Sequence, residues 1–352
     1  MSLKSFIKRP DVKAKLRPIR PGLPRKIAPA LMVAPKSERY MMVGTAFNYL
    51  LRFELQRRAP HAVARCWTAE SAPDNIWCKN DKGVTSFRHL SRDDKGVISL
   101  AAHPDGDPHS LEKLAQEVAG RARNVVDKAK LAQARYVKST SPTRLDQADL
   151  AGHAIRLAKL DDSSRSCGRF DSTFEEAAVE DVEDLLALLA IVPFNALFHD
   201  RVMLLNPIFG QTSSLVGGAD ADLIVGDMLV DFKTTKSDKM AADDLDQLLG
   251  YYLLARRQRQ ADPKFPAINR LAIYFCRQSY LWTLDATTWT EHPLFAETEE
   301  WFFSHAKEVF KAKVTEITWS GVKIDPADMK RTLRDLFNEG RLKLREPPTK
   351  AD

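Results

Sequence analysis

Residues 222–233 read DLIVGDMLVDFK. Two apolar triplets, 223–225 and 228–230, flank Gly226-Asp227, with Asp222 ahead of the first and Asp231-Phe232-Lys233 closing the second. A glycine in the first position of a two-residue loop suits a type II′ turn, so the stretch predicts a β-hairpin. In that register Val225 faces Met228, Ile224 faces Leu229 and Leu223 faces Val230. Further out, Asp222 faces Asp231 and Asp220 faces Lys233; a longer loop would slip these pairings by a residue or two. Side chains alternate along a strand, so one face of the hairpin gathers three carboxylates and an ammonium. Two aspartates directly opposite each other repel by up to about 1 kcal/mol. A divalent cation would offset that repulsion. Mg²⁺ or Mn²⁺ takes oxygen ligands, and Mg²⁺ is often held by one or two carboxylates with a substrate phosphate completing the shell. A lysine two residues beyond Asp231 is placed to orient water and to stabilise charge on a phosphate.

Working outward, VMLLNPIF at 202–209 reads as a strand. DQLLGYYLLAR belongs to a helix at about 241–257, with Gln247 and Tyr251 at i, i+4 on one face. RLAIYFC and YLWTLD, separated by RQS, read as two more strands. A helical stripe covers roughly 44–58. Residues 60–107 hold turns and short strand-like pieces such as 97–100. Helices are expected over 108–160, the second of them over 143–159, and over 174–192, whose acids at 175–184 read as a solvated face in the first turns. The C-terminal part reads as helical at 295–312 and 326–338, with a frayed end. Trp282, Trp289, Trp301, Phe302 and Phe303 read as packing residues, and Gly217-Gly218 as a turn. The expected organisation is a basic, Pro-rich arm (1–40), a first core helix (41–58), a mostly helical insertion (59–195), a core sheet with its Gln/Tyr helix (196–290) and C-terminal helices (291–352).

The net charge of +6 is uneven: residues 1–40 carry eleven Lys/Arg against two acids, with six prolines. The first forty residues therefore hold +9 and the remainder −3. An extended arm of this kind suits a polyanion, because each lysine or arginine on a phosphate releases a counterion; a solvated tail that aids solubility is the other reading. Lys236 and Lys239, just past the hairpin, are candidate phosphate contacts. The four cysteines at 66, 78, 167 and 276 form no C-x-x-C pair, which argues against a zinc ribbon and a disulfide framework and fits a reducing cytoplasm. No membrane partner is expected: the longest greasy run, 185–192, stops at Pro193. The scattered histidines make no H-E-x-x-H pair, and neither a G-x-S-x-G elbow nor a phosphate-cradling loop occurs.

Asp-x-Lys occurs five times, at 11, 93, 231, 262 and 328, and only the copy at 231 closes an apolar strand behind a hairpin turn with an acid across from it. Asp222, an eight-residue spacer, Asp231-Phe232-Lys233 and the Q-x-x-x-Y helix together resemble the PD-(D/E)xK nuclease superfamily, in its RecB-like branch. The resemblance implies an α/β fold with a restriction-endonuclease-like core, a mixed β-sheet flanked by helices, interrupted here by a large helical insertion. It implies a metal-dependent nuclease acting on nucleic acid, with DNA the expected substrate. In it Asp222 and Asp231 hold Mg²⁺ or Mn²⁺, Lys233 assists the water, and Gln247 and Tyr251 support the site and contact nucleic acid. Asp220 is a second acid behind Asp222, or takes its place if the register slips. RecB-type enzymes carry a ligating histidine in a G-T-x-x-H setting; here the frame is Gly44-Thr45-Ala46-Phe47-Asn48, so Asn48 is a candidate metal ligand whose amide oxygen would hold Mg²⁺ more weakly than the family's imidazole holds its metal. That departure keeps a second expectation open: a catalytically weak or inactive nucleic-acid-binding protein on the same core. The resemblance covers the first helix and about 202–285.

Overall fold

A computed structural model of the chain describes residues 2–24, 26–27, 30–75, 77–79, 85–87, 90–92, 98–100, 108–165, 169–170, 173–197 and 202–316. The expected helix at 326–338 lies outside the described residues. A six-stranded mixed sheet organises the molecule, its strands lying side by side in chain order: β1 (Val63–Ala64), β2 (Met203–Leu205), β3 (Leu223–Val225), β4 (Met228–Lys233), β5 (Arg270–Phe275) and β6 (Tyr280–Asp285). The pairs β1–β2 and β4–β5 are parallel, and the others antiparallel. The β3–β4 hairpin has the expected register, with Leu223 opposite Val230, Ile224 opposite Leu229 and Val225 opposite Met228. Gly226 takes φ +60° while Asp227 stays at negative φ, as a type II′ turn requires.

Alternation along the strands divides the interior in two. Leu223, Val225, Met228, Val230, Phe232, Ala272 and Tyr274 point into one core. Ile224, Leu229, Leu271, Ile273 and Phe275 point into the other. The first core is covered by helices: α3 (Tyr40–Arg58), α4 (Pro108–Lys138), α5 (Arg144–Arg165) and α6 (Val179–Ala190), with α3 packed against the other three. The second is covered by α7 (Ala242–Ala261), α8 (Phe295–Glu316) and the N-terminal segment. The chain is thus a mixed α/β protein whose sheet is flanked by helices. Among the described residues no helix is long and apolar enough to cross a membrane.

Three expectations need correction. Residues 3–19 of the expected arm are not extended: they form α1 (Leu3–Phe6), α2 (Pro10–Leu16) and a short 3₁₀ turn, and bury Leu3, Phe6, Ile7, Val12, Leu16 and Ile19 in the second core. Those positions recur at helical spacing, a pattern that the lysines and prolines between them hide. The stretch assigned to the helical insertion also donates β1 to the sheet, parallel to β2. And the acids of α6 are not all solvated. Asp181 and Asp184 are fully buried, with Asp181 paired to Arg39 at 2.7 Å and Asp184 to Arg277 at 2.8 Å. The aromatic residues of the C-terminal part do pack: Trp289 and Phe302 have no exposed surface.

Candidate functional site

At the start of β3 and the end of β4 the inward pattern stops being apolar. Leu229, Asp231 and Lys233 alternate onto the α7 side of the sheet, as does Ile224; Ala219 and Ala221 enter the same core, so the alternation does not carry on to Asp220 and Asp222, which precede the ladder. Asp222 lies just outside the ladder, where its backbone carbonyl accepts the Asn206 N–H at 3.0 Å. Its side chain reaches across to β4, and Oδ2 accepts the Phe232 backbone N–H at 2.6 Å. This bond ties the first acid to the strand that carries the second. Asp231 is buried, with Oδ2 2.8 Å from Lys233 Nζ, yet that oxygen accepts no hydrogen bond of good geometry. Asp220 forms an isolated antiparallel bridge with Ile208 and adds its charge near Tyr251.

Helix α7 supplies the wall behind these groups. Gln247 binds three site residues: its Nε2 donates to Asp231 Oδ1 at 3.3 Å and to the Tyr251 hydroxyl at 2.9 Å, while its Oε1 accepts from Lys233 Nζ at 3.0 Å. Tyr251, one turn on, stacks on Phe209 with ring centroids 5.9 Å apart. The i, i+4 spacing therefore has a plain role, since one residue holds the acid and the lysine and the next anchors the first. Both side chains are more than nine-tenths covered, so they act from behind the acids, and the nucleic-acid contact expected of them does not fit their burial. Lys236 and Lys239 lie on the exposed loop after β4, with Lys236 Nζ 4.7 Å from the Tyr40 ring centre and donating to its hydroxyl at 3.2 Å.

From the opposite layer comes α3. A Cβ at Gly44 would stand 2.7 Å from Thr234 Oγ1, so a side chain there would require Thr234 or the helix to move, and glycine lets the two lie this close without it. The approach brings Asn48, one turn later, to Asp222: Asn48 Nδ2 donates to Oδ1 at 3.0 Å. The amide thus meets the acid as a hydrogen-bond donor. Arg52, a further turn along, donates to the Asn48 carbonyl at 3.0 Å and adds positive charge near Asp222.

The electrostatics follow from crowding. Asp222 is half-buried but enclosed by protein on most sides. That desolvation, reinforced by the Asp231 carboxylate, raises its pKa to about 7. Burial disfavours the Lys233 ammonium, but Asp231 and Asp244 outweigh it and its pKa is raised, so it is a cation throughout the neutral range. Burial pushes the Tyr251 hydroxyl far up and keeps it neutral.

Asp244 could not be singled out from sequence. It accepts from the Ala241 backbone N–H at 3.1 Å, capping α7, and its other oxygen sits 3.3 Å from Lys233 Nζ. An acid in the first turn of a helix is a signal for capping and not for a site. Lys4 is the other: its ammonium feels Lys233, Asp231, Lys8 and Asp222, although 218 positions separate it from Asp222 in sequence. Among the described residues no group of three or more His, Cys, Asp or Glu side chains forms a ready metal cage. Searches of family models, curated proteins and solved structures return no match to the chain.

Proposed function

We propose that this chain is a metal-dependent nuclease of the PD-(D/E)xK type, in its RecB-like branch. Its sheet would be a restriction-endonuclease-like core, and it would hydrolyse phosphodiester bonds of nucleic acid, with DNA the expected substrate. The observation that carries the reading is the joining of Asp222 to the Asp231 strand through the Phe232 N–H, with Lys233 2.8 Å from Asp231. Two acids close enough that the Asp231 charge helps raise the pKa of Asp222, and a buried Asp231 oxygen that accepts no hydrogen bond of good geometry, fit a hard divalent cation such as Mg²⁺ or Mn²⁺. Asp222 and Asp231 would hold it. When bound, the ion supplies positive charge against the phosphoryl oxygens and makes water a stronger nucleophile near neutral pH.

The residues of the chain do the rest. Lys233 stays protonated at neutral pH, so it serves as a donor to the attacking water or to a phosphoryl oxygen and not as a general base. Gln247 and Asp244 fix its Nζ. Tyr251 holds Gln247 in turn, and its raised pKa keeps its own proton in place. Asp222 must release its proton before it can ligate, so cation affinity rises as pH passes through about 7.

The test is incubation of plasmid and single-stranded DNA with the protein in Mg²⁺, in Mn²⁺ and in EDTA. The expected result is cutting in metal, none in EDTA, and a loss of about 10²- to 10³-fold in Lys233→Ala. Absence of metal-dependent cutting, or cutting that survives in Lys233→Ala, overturns the reading. One observation favours a non-catalytic nucleic-acid-binding module instead: Asn48 offers Asp222 an N–H donor where RecB-type enzymes carry a ligating histidine. Salt-dependent binding in EDTA without cutting in either metal supports that alternative.

A further inference from the structure

The seat of α1 is specific. The Leu3 backbone N–H donates to the Gly218 carbonyl at 3.0 Å, two residues before Asp220. Its side chain fills the space left by the missing Cβ of Gly250, where an added carbon would stand 2.9 Å from Leu3 Cδ1. Gly250 adjoins Tyr251 on the helix that holds the acids. Phe6 completes the anchor, fully buried and edge-on to Phe302 at 5.2 Å. With Leu3, Phe6 and Ile7 facing inward, Lys4 and Lys8 lie on the exposed side, one turn apart. Lys4 falls within the field of Lys233, Asp231 and Asp222.

Among the described residues no carboxylate is hydrogen-bonded to Lys4 in the way that Asp11 is to Arg9 or Asp246 to Arg20. Burial first, and then the charges of Lys233 and Lys8, disfavour its ammonium, while Asp231 and Asp222 favour it. A phosphate bound beside Lys4 and Lys8 would add to the favourable side of that balance.

We infer that α1 delivers Lys4 to the rim of the site as a phosphate-contact residue, with Lys8 continuing the same path along the backbone of a bound nucleic acid. The inference rests on the proposed function and adds to it a place: the strand enters across the N-terminal helix. The role assigned to Lys4 is contact with a phosphate flanking the reacting one, and no covalent step passes through it.

The test uses fluorescence anisotropy with a labelled single-stranded oligonucleotide and a labelled duplex, in EDTA, across a salt series. The full chain is compared with Lys4→Ala, Lys4→Arg and Lys307→Ala, the last an exposed lysine on α8 that removes the same charge elsewhere. Lys4→Ala is expected to raise Kd several-fold and to make the dependence of log K on log salt shallower by about 0.7 to 0.9, the value for one phosphate contact. Lys4→Arg restores both, and Lys307→Ala moves neither. In Mn²⁺, Lys4→Ala raises KM more than it lowers kcat. If Lys4→Ala behaves as Lys307→Ala does while the unmodified chain binds and cuts, the assignment of Lys4 fails and the nuclease reading stands. If the unmodified chain shows neither salt-dependent binding nor cutting, both fail.

Discussion

Asp222 sits between two demands. Its hydrogen bonds from Asn48 and the Phe232 N–H favour a fixed position, while its enclosure and the neighbouring acid disfavour its charge. The sign of the stability effect follows. Between the ordinary carboxylate range and about pH 7 the folded chain holds a proton at Asp222 that the unfolded chain has released, so this group's contribution falls as pH rises through that window. Asp222→Asn removes the charge and can still accept the Phe232 N–H. In EDTA at pH 8 the variant is expected to be more stable than the natural chain by about 1 to 3 kcal/mol, and the difference should vanish at pH 4. Urea midpoints at the two pH values check this, and equal midpoints at pH 8 would remove the case for a crowded acid. The same variant should lose all metal-dependent cutting. A gain in stability with a loss of activity is what a residue kept for function and not for packing gives.

At the scale of elements, two close approaches assemble the site. Helix α3 comes in over Thr234 because residue 44 has no side chain, and α7 lies under β4 with Gln247 against Asp231. A glycine in a helix ordinarily costs about 1 kcal/mol relative to alanine. Gly120 in α4 has nothing within 4 Å of an added Cβ, so Gly120→Ala should stabilise the chain by about that amount. Gly44→Ala should have the opposite sign, destabilising by about 1 to 3 kcal/mol as α3 or Thr234 is displaced, and should weaken cutting along with the Asn48–Asp222 contact. Thermal melts of the two variants side by side decide it.

The elements also show where sequence reading succeeds. The β3–β4 register was legible because a period of two and a glycine at the turn admit one solution, and Gln247 and Tyr251 because i, i+4 puts them on one face. The N-terminal helices were not legible, since the apolar positions between Leu3 and Leu16 are diluted by five cations and a proline and make sense only against a partner surface about 200 residues away. Nor was β1, whose two residues are too few for any periodicity. Asp181 and Asp184 looked solvated because Arg39 and Arg277, their partners, are distant in sequence and leave no local trace.

Across the whole molecule, Arg277 ties together parts that are far apart in the chain. It forms a two-point ion pair with Asp184 of α6 at 2.8 Å, donates to the Thr234 carbonyl at 2.9 Å just beyond Lys233, and through its own carbonyl accepts the Met32 and Val33 N–H groups. Both partners of the pair have essentially no exposed surface. Removing one partner leaves a buried, uncompensated charge, so Arg277→Met is expected to cost about 3 to 5 kcal/mol. Pairing it with Asp184→Leu should recover most of that loss. Urea unfolding of the single and double variants reads the difference, and additive losses would show that the two residues are not coupled.

The N-terminal segment has a further consequence, in the timing of folding. Lys15 is paired with Glu297, 282 positions later, and Phe6 with Phe302. On a ribosome adding about 5 to 20 residues per second, the greasy side of α1 and α2 is translated roughly 15 to 55 seconds before its cover exists. During that interval it is a short basic amphipathic stretch open to chaperones or to any nearby polyanion, and the second core can close only once synthesis has passed α8.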